Sequence, residues 1–329
     1  MEEKGYRKVF RDIVRGYSYS QFNNKDAYIK HTTTHDQVEL EDVYDRYYNI
    51  AKFRGIPTEE EMTKVLLDQG DWSEEDDKEI ERLREYIKRL EESKSHLLLK
   101  REIDKKSEEI VKERNNYYNL LNLKDEMLGG TCEKYANERT NDHYIVKSFF
   151  KDEYLKERLF SQDDYDEMSV YEIREISSIY NFVSNQFSER NIKFLTVQDF
   201  YYPYFPFSED VMQFFGLPAV KLTKNQINLI IYTRVVKNVL EKNENIPDHI
   251  RKDPDKLIDY ANVSEKAKEK MSKHEGQAGA STVIGAKEED YEFMNISSVK
   301  KEGSVSLRDE AVKKGGRLSM EDMMKLSGA

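Results

Sequence analysis

The chain has 329 residues, with 53 Lys and Arg against 64 Asp and Glu, a formal net charge of -11 and one Cys. One cysteine excludes an internal disulfide framework, no apolar run approaches the roughly 18–20 residues of a membrane span, and net acidity argues against nucleic acid as the main partner. Hydrophobic residues make up 38% of the chain, with 22 Tyr and 15 Phe, so a core is expected to be built from rings more than from small aliphatics.

The N-terminus, MEEKGYRKVF, has no apolar h-region and does not read as a signal peptide. Residues 1–35 read as an N-terminal arm. It is basic early on and interleaved with aromatics, as in Gly5-Tyr6-Arg7-Lys8 and Tyr17-Ser18-Tyr19, which suits docking on a partner. His31 and His35 stand four apart, but Thr32-Thr33-Thr34 is poor helix material and a metal needs further ligands. A surface loop is expected there. Residues 36–72 read as short helices. Asp36 and Glu39 fit cap and N3 positions, followed by the stripe Leu40, Val43, Tyr44, Tyr47 and Ala51. Thr58 with Glu59-Glu60-Glu61 opens a second helix, and Gly70 stops it.

Ser73 caps the next segment. From Asp71 to Leu128 there are 58 residues without Gly or Pro. The seam Ile80, Leu83, Ile87, Leu90, Lys94 and Leu97 steps by 3 and 4, as heptads do. Continued, that frame lands on Arg101, Asp104 and Glu108, whereas a second frame runs through Ile103, Ile110, Tyr117 and Leu121. Two antiparallel helices folding at about 93–101 keep both seams facing each other, so residues 73–128 are predicted to form a protruding helical hairpin. One straight helix with a stutter is the alternative.

Residues 129–263 read as a helical, aromatic-rich body. A helix is expected around 142–160. Capping boxes at Ser169/Glu172 and Thr223/Gln226 open two more helices. Lys193 to Val197 has the composition of a lone strand, and no clear strand-turn-strand pattern is present. Residues 194–215 hold nine aromatics, with Pro203 and Pro206 interrupting any regular helix. Such a segment either packs between helices or forms a binding surface. For the second role the candidates are Tyr201, Tyr202, Tyr204, Phe205 and Phe207, because Tyr and Phe give large contact area at small entropic cost.

Residues 264–329 hold seven of the fourteen Gly and balanced charge, and read as a flexible low-complexity tail. It ends in a helix-prone island whose Met320, Met323 and Met324 offer an adaptable contact surface. The fold expected is therefore all-α: a helical body, a protruding hairpin and a flexible C-terminal tail. Truncation after Val263 should leave the fold intact.

No phosphate-loop, dinucleotide, nucleophile-elbow or zinc-protease motif is present. Cys132 reads as a buried or incidental thiol. No catalytic, cofactor-binding or metal residue is assigned.

The step Leu66-Leu67-Asp68-Gln69-Gly70-Asp71-Trp72-Ser73-Glu74-Glu75-Asp76-Asp77, followed by the charged hairpin, resembles proteins of large tailed bacteriophages. These are tail assembly chaperones or virion-assembly proteins. They carry a Gly-x-Trp-[Ser/Thr]-Glu-Glu-[Asp/Glu] step into a Glu/Lys hairpin and a helical, aromatic-rich second half. The match covers residues 40–262 in outline. The resemblance implies a non-enzymatic protein without cofactor, found in the reducing host cytoplasm and binding other phage tail or virion proteins. A permanent virion subunit in the baseplate, connector or neck is the alternative.

Overall fold

The computed structural model describes residues 2–243, 246–274, 290, 293 and 294. Among these the chain forms thirteen α-helices, two 3-10 helices and one small antiparallel sheet of order β1-β2-β3. The all-α-dominated class is as expected.

The N-terminal arm is part of the body. Helix α1 (Glu3–Arg15) buries Tyr6, Val9 and Ile13 in the main core. Strands β1 (Tyr17–Phe22) and β2 (Lys25–Lys30) pair through an Asn23-Asn24 turn with φ of 49° and 58°. A two-residue hairpin turn needs that left-handed backbone, and Asn tolerates it. Ala27 and Ile29 then point into the core.

Helix α2 (Thr34–Phe53) is capped by Thr33 with Asp36 at N3, so Asp36 is the box partner and not the cap. Helix α3 (Glu59–Gln69) starts after Thr58 and stops at Gly70, φ 79°, as expected, and Thr58 forms a capping box with Glu61. Helices α4 (Glu74–His96) and α5 (Lys100–Leu128) are the two arms of the hairpin. Ile87, Leu90 and Ile110 pack together with Tyr117 alongside. Arg114 to Glu91 and Lys124 to Asp77 pair across the arms and fix the antiparallel register. The turn end is the rooted end. Leu98 and Ile103 belong to the main core, Lys94 pairs with Asp259 at 2.8 Å, and the Lys100 amide donates to Asp290 Oδ1 at 2.9 Å. The opposite end carries its own cluster of Leu66, Trp72 and Leu128.

Helix α6 (Cys132–Ser148) packs along α2. The expected helix at 142–160 ends at Ser148, because Phe149–Phe150 becomes β3 and pairs with β2. Short α7 (Gln162–Asp166) leads to α8 (Val170–Gln186), which has the expected Ser169/Glu172 box. Lys193 to Thr196 is helical, within α9 (Glu189–Thr196), and is not a lone strand. Ser188 caps this helix, and Ile192 and Leu195 bury one of its faces against the core.

A 3-10 helix (Asp199–Glu209) and α10 (Val211–Phe215) follow, then a second 3-10 turn (Ala219–Lys221). Helix α11 (Lys224–Lys242) has the Thr223/Gln226 box, and Gln226 Nε2 also donates to the Ile13 carbonyl at 3.0 Å. One side chain thus joins the start of α11 to the end of α1. Short α12 (Asp248–Arg251) precedes α13 (Pro254–His274), which runs on past Val263. Phe293 and Met294 are buried in the main core, Phe293 edge-on to Tyr260 at 5.8 Å. Truncation after Val263 would therefore remove core side chains, contrary to expectation. The Met-rich island with Met320, Met323 and Met324 lies outside the described residues.

Candidate functional site

Pro203 and Pro206 lack amide hydrogens and clash with an α-helical turn, and the aromatic segment takes a 3-10 path instead. That path divides its rings into two sets. Tyr201 is 0% exposed, and its hydroxyl lies 2.7 Å from Thr233 Oγ1 on α11. Burial pushes its phenol well above the ordinary value. Phe205 is buried edge-on to both Tyr201 and Tyr202. Tyr202 is half-buried; its hydroxyl donates to the Val197 carbonyl and accepts from Arg251 Nε, each at 3.2 Å. The Arg251 guanidinium also lies 4.8 Å from the ring centroid.

The second set faces outward. Tyr204 is 37% exposed, Phe207 42% and Met212 56%. Phe214 is half-buried among them, its ring 5° from coplanar with Phe207. Phe10 of α1 continues the surface, 4.7 Å from Tyr204, and the Arg7 guanidinium covers Phe200 at 4.3 Å. Of the five candidates here, Tyr204 and Phe207 stand on the surface and Tyr202 at its margin. Tyr201 and Phe205 lie beneath it, out of a partner's direct reach. Phe10, Met212 and Phe214 join the patch but were not singled out. Phe10 was findable, since it sits on the apolar stripe Tyr6, Val9, Phe10 and Ile13.

A concavity of about 390 Å³ opens beside β2 and is lined by His31, Thr32, Tyr144, Tyr180 and Lys224, among others. His31 is not in a surface loop. It is buried at the end of β2, with Nε2 2.9 Å from the Ser18 hydroxyl and its ring 4.4 Å from Phe187. Burial pulls its pKa down to about 4, so it is neutral at pH 7. His35 lies on α2, so the two imidazoles share no helical face. Several neighbouring polar groups are engaged within the fold. Thr32 donates to the Tyr144 hydroxyl, and Lys30 holds both Asp36 oxygens at 2.8 and 2.9 Å. Burial raises the Asp36 carboxyl, but the bonds from Lys30 and Thr33 outweigh it and hold it below the ordinary range.

Among the described residues no three His, Cys, Asp or Glu are grouped to hold a metal ion, and no helix is long and apolar enough to cross a membrane. Cys132 is buried, donates to the Ile56 carbonyl at 3.0 Å, and has its thiol pushed up by burial. No protein-family model, curated protein or solved structure matches the chain.

Proposed function

We propose that this protein is a non-enzymatic protein-binding factor in bacteriophage particle assembly, acting on a tail or baseplate component in the host cytoplasm. The observation that carries the binding role is the outward apolar surface of Tyr204, Phe207 and Met212 over a buried base. The buried Tyr201–Thr233 bond and Phe205 fix the backbone beneath, so the outer rings are held in place before a partner arrives. Preorganised aromatic anchors lose little entropy on binding. The phage setting rests on the Gly70-Asp71-Trp72-Ser73-Glu74-Glu75 resemblance. The chain's net charge of -11 suits a client with basic segments.

The test is affinity purification from infected cells with the natural chain and a Tyr204→Ala/Phe207→Ala variant, alongside mass spectrometry of purified particles. A tail or baseplate protein should co-purify with the natural chain and be lost with the folded variant. The factor itself should be absent from particles or substoichiometric. Fixed copies per particle would make it a virion subunit, and equal recovery with the variant would leave the rings as packing.

A further inference from the structure

The end of β2 and the start of α11 are joined main chain to main chain. The Lys224 amide donates to the Thr32 carbonyl at 2.9 Å, and Thr33 and Thr223 form an isolated bridge. The concavity of about 390 Å³ lies at this junction, with α6, α8 and the start of α9 supplying its other walls. Its lining has two parts. One is apolar and aromatic, with Val183, Phe187, Tyr144 and Tyr180. The other is polar, with His31 and, from the first two turns of α11, Lys224, Asn225 and Asn228.

The polar part holds donors that the fold leaves without acceptors. His31 is 5% exposed; its Nε2 is taken by the Ser18 hydroxyl, while its buried Nδ1 has no hydrogen-bond partner among the described residues. A buried ring nitrogen left unpaired is costly, so it calls for a partner. Among the described residues no carboxylate pairs with Lys224, and the side chains of Asn225 and Asn228 make no hydrogen bond. Helix α11 has 19 residues and no acid in its first turn, so the positive end of its dipole is not offset by its own sequence. Glu189 is the one acid among the lining residues, and Lys193 holds its carboxylate at 2.6 Å.

We propose that this concavity binds a small aromatic carboxylate. The ligand's carboxylate lies at the start of α11 and accepts from Lys224 Nζ and from the side-chain amides of Asn225 and Asn228. With the Ser18 hydroxyl donating to Nε2, His31 carries its hydrogen on Nδ1, and the carboxylate gives that hydrogen its acceptor. The ligand's ring lies against Tyr180 and Phe187. One uncommitted cation matches a single negative charge, whereas a phosphate dianion would leave a charge unmatched. The volume is at the small end of the roughly 300–1,000 Å³ of ligand pockets, which suits one ring with a short acid chain. The site shares no residue with the Tyr204 and Phe207 surface, and the proposal does not depend on any assembly client.

The experiment is calorimetric titration of the full chain with 3-phenylpropionate, its neutral analogue 3-phenylpropanamide, and phenyl phosphate. The carboxylate should bind saturably with a Kd of about 1 mM or tighter, and the amide at least about tenfold more weakly, since it forgoes the charge-assisted bonds. Phenyl phosphate should bind no more tightly than the carboxylate. Lys224→Gln should weaken the carboxylate by about tenfold and leave the amide unchanged. Asn228→Asp puts an acid where the ligand's acid lies and should abolish carboxylate binding. Lys221→Gln removes an exposed lysine three residues away that does not line the concavity, and should bind as the natural chain does. Circular dichroism should be the same for all four proteins. Absence of saturable binding, equal affinity for acid and amide, or tighter binding of phenyl phosphate would each overturn the proposal. So would equal weakening by Lys221→Gln and Lys224→Gln, which would show only a general attraction to surface charge.

Discussion

The indole of Trp72 donates its Nε1 hydrogen to Asp77 Oδ1 at 3.0 Å, and Lys124 reaches the same oxygen at 2.7 Å from the other arm of the hairpin. The lone Trp thus ties the entry of α4 to the exit of α5, above the small core of Leu66 and Leu128. The Gly70-Asp71-Trp72-Ser73 step is a structural closure of the hairpin's outer end.

Asp77 should make that closure sensitive to pH. Burial raises its carboxyl, but the bonds from Lys124 and Trp72 and the Lys124 charge outweigh it, so the folded group titrates below its ordinary value. A depressed carboxylate contributes stability above its unfolded pKa and loses it as pH falls through the folded one. Asp77→Asn should cost about 1 kcal/mol at pH 7, discounted for its partly exposed site. The deficit should shrink towards pH 3. Urea unfolding of both proteins at the two pH values measures it.

Leu90 lies on the hairpin seam, buried against Ile87 and Ile110. Leu90→Ala should cost about 2–5 kcal/mol if the seam is dry along its length, whereas exposed Lys88→Ala should change little. Equal, negligible shifts in thermal midpoint for the two would show that the seam is not a core.

The C-terminal residues that reach the body should matter to folding. Phe293→Ala should cost about 3–5 kcal/mol, as for a ring removed from a core. The N-cap residue of α5, Leu99, makes no side-chain cap, and Asp290 takes that role by accepting from the Lys100 amide. Asp290→Ala should cost about 0.5–2 kcal/mol, the usual loss of a helix cap. A chain truncated after Val263 should melt well below the full chain in a calorimetric scan.

His31 should impose a second pH dependence, at milder acidity. Its folded pKa is pulled down to about 4 by burial, against about 6.5 when unfolded. The unfolded chain therefore binds the extra proton between those values, and stability falls as pH drops from about 6.5 towards 4. The expected loss between pH 7 and pH 5 is on the order of 2 kcal/mol. His31→Gln should flatten that slope while lowering stability at pH 7. An unchanged slope in denaturant titrations would assign the effect to other groups.

Much of the helical framework was legible because its signals are local. The boxes at Ser169/Glu172 and Thr223/Gln226 join residues three apart and form as read, and Thr58 opens its helix as expected. The frame shift between the Leu83 and Ile110 seams placed the turn within about 93–101, since two antiparallel arms must both bury their stripes, and it falls at 97–99. The β1–β2 hairpin was not legible, because its strands are polar and its turn is Asn23-Asn24 with no Gly.

Lys193 to Thr196 resembles a strand in composition, but Ser188 and the burial of Ile192 and Leu195 make it a helix. Whether a ring in 200–215 faces in or out was fixed by α1 and α11, which take Tyr201 and leave Tyr204 at the surface. The docking of Asp290, Phe293 and Met294 was equally hidden, since their own surroundings in the chain are poor in apolar residues. Caps and periodic stripes need only a few neighbouring residues, so the sequence alone determined where most helices begin. Which side chains become core depends on surfaces brought together from more than a hundred residues apart, as with the Lys100–Asp290 bond at a separation of 190, and only the tertiary structure decided that.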